Sequence, residues 1–195
     1  NNMNYILTDK EPKLPLKYFE DISAIPHGSY NEKAISAFIA DTAAKLGLYA
    51  RVDERNNVVV KKPATPGYEH LPALLLQAHV DMVNEKNSDS DHDFTKDGLK
   101  LILEGNILRA DGTTLGADDG KGVAYMLALM DSDSDTFPHP PLEFLFTTGE
   151  EVGFWGAMAL DCSDITARRM IGLDAGPEGV VATTSAGAQE VIFSI

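Results

Sequence analysis

Short apolar runs bounded by Gly, Pro and polar turns alternate along this chain with segments of helical apolar spacing, and this alternation restricts the fold more than any other feature. Residues 13–25 carry Leu16, Phe19 and Ile22 on one face with Pro15 near the start, which predicts a helix ending at Pro26. Ser29-Tyr30-Asn31-Glu32 has the form of a capping box. Ile35, Phe38, Ile39 and Leu46 then share a face until Gly47, so a second helix is expected there. Residues 49–53 and 57–61 are β-prone around a polar turn, and 74–78 is an apolar run suited to a strand covered on both faces. A hairpin is expected from 99–103 and 107–110, a mostly apolar helix from 120–130, and strands at 142–147, 170–173, 180–184 and 191–195. The fold class that follows is α/β, a layered mixed sheet flanked by helices.

The 195 residues include 16 basic and 30 acidic side chains, a net charge of −14 that disfavours nucleic acid as a partner. Hydrophobic residues make up 44%, enough for an ordinary globular core of one domain or slightly more. The longest nearly unbroken apolar stretch, 123–130, is far short of the ~20 residues that cross a bilayer. The N-terminus lacks a basic segment followed by an apolar one, so no membrane partner is expected. A single cysteine, Cys162, forms no internal disulfide and fits a reducing, cytoplasmic setting.

The acids fall in a telling place. His79, Glu150, Glu151 and Asp174 each follow an expected strand, and Asp118 and Asp119 precede an expected helix. In an open α/β sheet the carboxyl ends of the strands form one rim where ligands bind. His79 and Asp81 are two apart on an extended segment and so share a face, which lets a carboxylate orient a metal-binding imidazole. Solvent can equally satisfy a strand-end histidine. Adjacent glutamates can divide labour, one holding a cation and the other accepting a proton from water, although solvated turns collect such pairs too. Asp118 and Asp119 can also act simply on the helix dipole. Each feature is weak alone; together they point to a metal site.

Other chemistries fit less well. The stretch from Gly116 to Gly122 is not a phosphate loop, because Leu115 and Gly122 stand where the pattern requires a glycine and a hydroxyl residue. Asp89-x-Asp91-x-Asp93 and Asp131-x-Asp133-x-Asp135 imitate calcium loops, yet their sixth positions are Phe94 and Thr136 and their twelfth Lys100 and Leu142. Cys162 has no basic neighbour, and neither a G-x-S-x-G elbow nor H-E-x-x-H occurs.

Several stretches carry a family resemblance: Ile25-Pro26-His27-Gly28-Ser29, Lys61 to Tyr68, Gln77-Ala78-His79-Val80-Asp81-Met82-Val83, Glu85-Lys86-Asn87, His92-Asp93-Phe94, Gly112 to Asp118 and Pro140-Pro141-Leu142-Glu143. In order and extent, from about Phe19 to Ala188, they resemble the aminoacyl-histidine dipeptidases of the M20 metallopeptidase clan. The resemblance implies a zinc-peptidase-like catalytic domain with two zinc ions per active site, manganese or cobalt being possible substitutes. Asp118 would bridge the zincs, His79 and Asp174 would hold one, and Glu151 the other. Asp81 would orient His79, and Glu150 would be the general base for hydrolysis of unblocked dipeptides, Xaa-His among them, by a metal-bridging hydroxide.

Family members take a last ligand from a much later histidine and insert a lid or dimerisation domain. The resemblance therefore implies that residues 1–184 are the N-terminal part of the catalytic domain and 185–195 the start of the lid segment, that the intact enzyme dimerises through the lid, and that the 195-residue piece is weakly active or inactive. His27, Asp119 and Lys121 depart from the family pattern, where arginine, asparagine and an apolar residue are usual. An M20 tripeptidase or amidohydrolase, or a non-catalytic α/β binding module, are the rival readings.

Overall fold

The structure, a computed structural model, describes residues 4–174, 176 and 179–184. The helix α1 (Lys13–Ser23) stops two residues short of the expected end; the amide of Ala24 closes onto Glu20, and Pro26 disfavours helical backbone before it. The helix α2 (Lys33–Lys45) ends as read: Gly47 takes a left-handed φ of 71°, and the amides of Gly47 and Leu48 return to the carbonyls of Ala44 and Ala43. Its start differs from expectation. Glu32 is the N-cap with no side-chain cap, and Ser29 Oγ donates instead to Asp81 at 2.8 Å. A charge-assisted bond to a buried carboxylate is stronger than a hydroxyl–amide cap, so the capping box gives way.

Strands β1 (Tyr49–Val52), β2 (Val58–Lys62), β3 (Leu74–His79), β6 (Leu142–Thr147) and β7 (Met170–Gly172) form one sheet in the order β1-β2-β6-β3-β7. β1, β2 and β6 run antiparallel, whereas β3 lies parallel to both β6 and β7. The sheet is therefore mixed. β4 (Leu101–Glu104) and β5 (Ile107–Ala110) make the separate hairpin. The helix α3 (Ala117–Met130) becomes regular only after Asp118 and Asp119, whose backbones are non-helical and whose shared peptide is cis.

The core sits on one face of the sheet. Val58, Val60, Leu76, Ala78, Phe144 and Phe146 point there and pack against Phe19 and Ile22 of α1, Ile35 and Ile39 of α2, and Met126 and Leu127 of α3. Their neighbours Val59, Leu75 and Leu145 point to the opposite face, where Ala167, Leu160 and Ile165 make a smaller cluster. That division is the two-residue strand period written in side chains. A four-residue helix, α4 (Trp155–Met158), lies between β6 and β7 and has no sequence signal long enough to announce it. Residues 180–184 are not a strand: Val180 and Val181 are exposed, and among the described residues no ladder pairs with them. The expected strand at 191–195 and the segment 185–195 lie outside the described residues. Among the described residues no helix is long and apolar enough to cross a membrane.

Candidate metal centre

β3 delivers His79 to the carboxyl end of the sheet, where the imidazole is 1% exposed. Its Nδ1 donates to the carbonyl of Asp81 at 3.0 Å and lies 3.5 Å from Asp81 Oδ1. This leaves Nε2 facing the rim, 3.2 Å from Asp118 Oδ1, 3.9 Å from Asp174 Oδ2 and 4.0 Å from Glu150 Oε2. Residues 39 and 95 positions from His79 thus converge on it: Asp174 follows β7, which lies parallel to β3, and Asp118 comes from the start of α3.

Asp81 ties the rim together. Its carboxylate accepts the amides of Glu150 at 3.0 Å and Glu151 at 3.3 Å, as well as Ser29 Oγ. Burial alone would raise its carboxyl, but His79, these amides and Ser29 hold it below the ordinary range. Burial likewise works against a charged His79, yet Asp81, Asp118 and Glu150 outweigh it and hold the imidazole at about 9. Burial raises both Glu150 and Glu151; His79 opposes the rise, and neighbouring carboxylates add to it. Asp119, fully buried, is pushed by desolvation to about 6, with Lys121 and His79 countering.

Two groups of side chains can each place ligand atoms within 4.8 Å of one another: His79 with Asp118 and Asp174, and His79 with Glu150 and Glu151. The donor set of one imidazole and several carboxylates, without thiolate, suits zinc, manganese or cobalt. Crowded carboxylates with raised carboxyls are what a divalent cation would relieve. The two groups meet at His79, whereas the resemblance makes Asp118 the shared residue. His27 and His139 stay outside both groups, their Nδ1 atoms bound to the carbonyls of Ile25 and Pro140. Cys162 is exposed and free.

Three residues that the sequence reading passed over position this rim. Ser29 carried only a capping signal. Asn57 Oδ1 accepts the amide of Thr148 at 3.0 Å while its Nδ2 donates to the carbonyl of Gly156 at 2.9 Å, so one buried amide staples both ends of the turn bearing Glu150 and Glu151. Thr148 Oγ1 adds a bond to the carbonyl of Arg55 at 2.7 Å. An asparagine beside a strand gives no hint of such a role; its only sequence signal is turn propensity.

The sequence pattern of peptidase family M28 matches residues 57–171, from β2 to β7, a span that includes His79, Asp118, Glu150 and Glu151. The chain belongs to peptidase family M28. This M28 family member is also 39% identical over 181 residues to the cytosol non-specific dipeptidase of Escherichia coli K12, covering 93% of this chain and 37% of that protein. Its fold matches the crystal structure of aminoacylhistidine dipeptidase from Vibrio alginolyticus with a TM-score of 0.85 and 39% identity, over 90% of this chain and 36% of that one. A tripeptidase from Staphylococcus aureus is similar at 27% identity and a TM-score of 0.71, over 84% of this chain and 43% of that one. The chain spans less than half the length of each of these relatives.

Proposed function

We propose that the intact protein is a dinuclear zinc dipeptidase of the M20 type, cleaving unblocked dipeptides and accepting Xaa-His among them. The observation that carries this reading is the convergence of His79, Asp118, Glu150, Glu151 and Asp174 on one rim. The likeness to two dipeptidases supports the substrate class.

In this reading His79, Asp118 and Asp174 would hold one zinc, and Glu151 with Asp118 would hold the second. Bound zinc polarises a carbonyl oxygen and brings the acidity of water from a pKa of ~15.7 to near ~7. Asp81 keeps the His79 ring oriented through the Nδ1 contact, so that Nε2 remains the donor. Glu150 accepts the proton of the attacking water on its carboxylate and returns it to the nitrogen of the leaving amine. Its carboxyl, raised by burial and by its acidic neighbours, is a stronger base than an exposed glutamate.

Residues 1–184 are on this reading the N-terminal part of the catalytic domain, and a lid that also dimerises begins at 185. A later histidine completes the second zinc site, so the 195-residue chain alone hydrolyses dipeptides weakly or not at all. The likeness to a cytosolic relative supports a cytoplasmic location.

In the intact protein, Glu150→Ala should lower kcat on dipeptides by at least ~100-fold while zinc content by elemental analysis is retained. Turnover within tenfold of the parent would remove Glu150 from the role of base. Because of the likeness to a tripeptidase, the substrate panel should include tripeptides. Faster cleavage of tripeptides than of dipeptides would replace the dipeptidase reading with that one, and robust dipeptide hydrolysis by the 195-residue chain would overturn the need for a later ligand.

A further inference from the structure

Trp155, the first residue of α4, touches three loops that meet beside the rim. Its ring stacks on Tyr30 with centroids 5.9 Å apart and planes at 28°, and the Arg55 guanidinium lies 4.9 Å from the ring centroid. Its Nε1 abuts Gly149, where a Cβ would stand 1.6 Å from that atom. Each loop neighbours a group already tied to the site. Ser29 beside Tyr30 and Glu150 beside Gly149 both donate to Asp81, and Arg55 offers its carbonyl to Thr148.

The backbone around this contact is unusual. Tyr30 and Phe154 have φ values of 69° and 61°, a region that bulky side chains rarely enter and that surrounding structure must enforce. Glu32, 2% exposed, sits at the same junction, where burial raises its carboxyl and nearby backbone amides, those of Tyr30 and Gly149 among them, only partly oppose the rise.

We infer that Trp155 is a positioning residue: packed against Tyr30, Arg55 and Gly149, its ring fixes the turn that presents Glu150 and Glu151 to the rim. The inference rests on the metal-site reading only for its consequence on cation affinity; the restraint on the turn stands apart from it. The indole N–H is buried without a partner among the described residues, so the ring acts through shape and stacking rather than through a hydrogen bond. Phenylalanine should therefore serve in its place.

The test is carried out on Trp155→Ala, Trp155→Phe and Tyr30→Ala in the intact protein. Hydrogen exchange of the Glu150 and Glu151 amides is followed without metal, and zinc binding is titrated by calorimetry. Trp155→Ala should speed exchange of both amides about tenfold and weaken the zinc site containing Glu151 by about tenfold, as loss of a ligand-orienting partner does. Affinity at the His79, Asp118 and Asp174 site should change less than twofold, and Trp155→Phe should restore most of both losses. Tyr30, 74% exposed, can be truncated without opening the core, so Tyr30→Ala carries the test if Trp155→Ala fails to fold. Unchanged amide exchange in the folded variants would overturn the inference. Faster exchange in a protein that binds no zinc would uphold the positioning role and defeat the metal-site reading.

Discussion

Glu143 is an ionisable residue, the second of β6, facing away from the helices, and it is only 3% exposed. Its carboxylate accepts the amides of Thr166 and Ala167 at 2.9 to 3.1 Å and Thr166 Oγ1 at 2.8 Å, with Lys61 Nζ 3.6 Å away. Burial would raise the carboxyl, but these donors outweigh it and hold it below the ordinary value. A carboxyl lower in the folded than in the unfolded chain stabilises the fold above the unfolded value, and that contribution disappears as pH falls through the folded one. Glu143→Gln should thus cost about 2 kcal/mol at pH 7, and the difference from the parent should shrink below about pH 4. Urea denaturation at both pH values measures it; a penalty independent of pH would show that the charge is not what holds residues 166–167. At this scale the sequence showed which residue types could bind a cation, because histidine and paired acids after strands are visible in one dimension. It did not show Ser29, Asn57 or Trp155, whose roles depend on neighbours brought together only by the fold.

Among the elements, α3 depends on a residue outside it. Lys62, at the end of β2, donates from Nζ to the carbonyls of Leu129, Met130 and Ser132 at 2.8 to 3.0 Å, answering orphan acceptors where the negative end of the helix dipole lies. Lys62→Met keeps the aliphatic stem and removes the donors. It should cost about 2 kcal/mol, read as a lower thermal midpoint, with fraying confined to the last turn of α3 by amide exchange. β6 was legible to its boundaries because Phe144, Leu145 and Phe146 make an apolar run closed off by Pro141 on one side and Gly149 on the other. The start of α2 and the short α4 were not: Ser29 takes Asp81 as its partner instead of a helix amide, and a single turn of helix carries too few residues for a period to emerge. The segment 180–184 reads as β-prone, but propensity alone makes no strand, and among the described residues no ladder partner pairs with it.

Across the whole molecule, the alternation of elements predicted the layers correctly but could not order the strands. The antiparallel β1-β2-β6 half and the parallel β6-β3-β7 half are decided by contacts between distant segments. If the rim binds zinc, ligand linkage stabilises the folded chain by about 2.7 kcal/mol at a hundredfold excess over Kd. For a domain of this size that corresponds to roughly 5–10 °C in the thermal midpoint. Calorimetric scans should show that rise with zinc and its loss with EDTA, while His79→Ala should abolish most of it. An identical midpoint with and without zinc would contradict the proposed cation site.

The strand order also sets a timetable. β3 is synthesised early and β7 late, so Asp174 leaves the ribosome about 95 residues after His79. The rim closes only when β7 docks alongside β3, a long-range pairing that bears a large loop-closure cost and forms slowly. A nascent chain therefore displays the His79 imidazole well before Asp174 arrives, and the meeting of the two marks a polypeptide in which β7 has found its place beside β3.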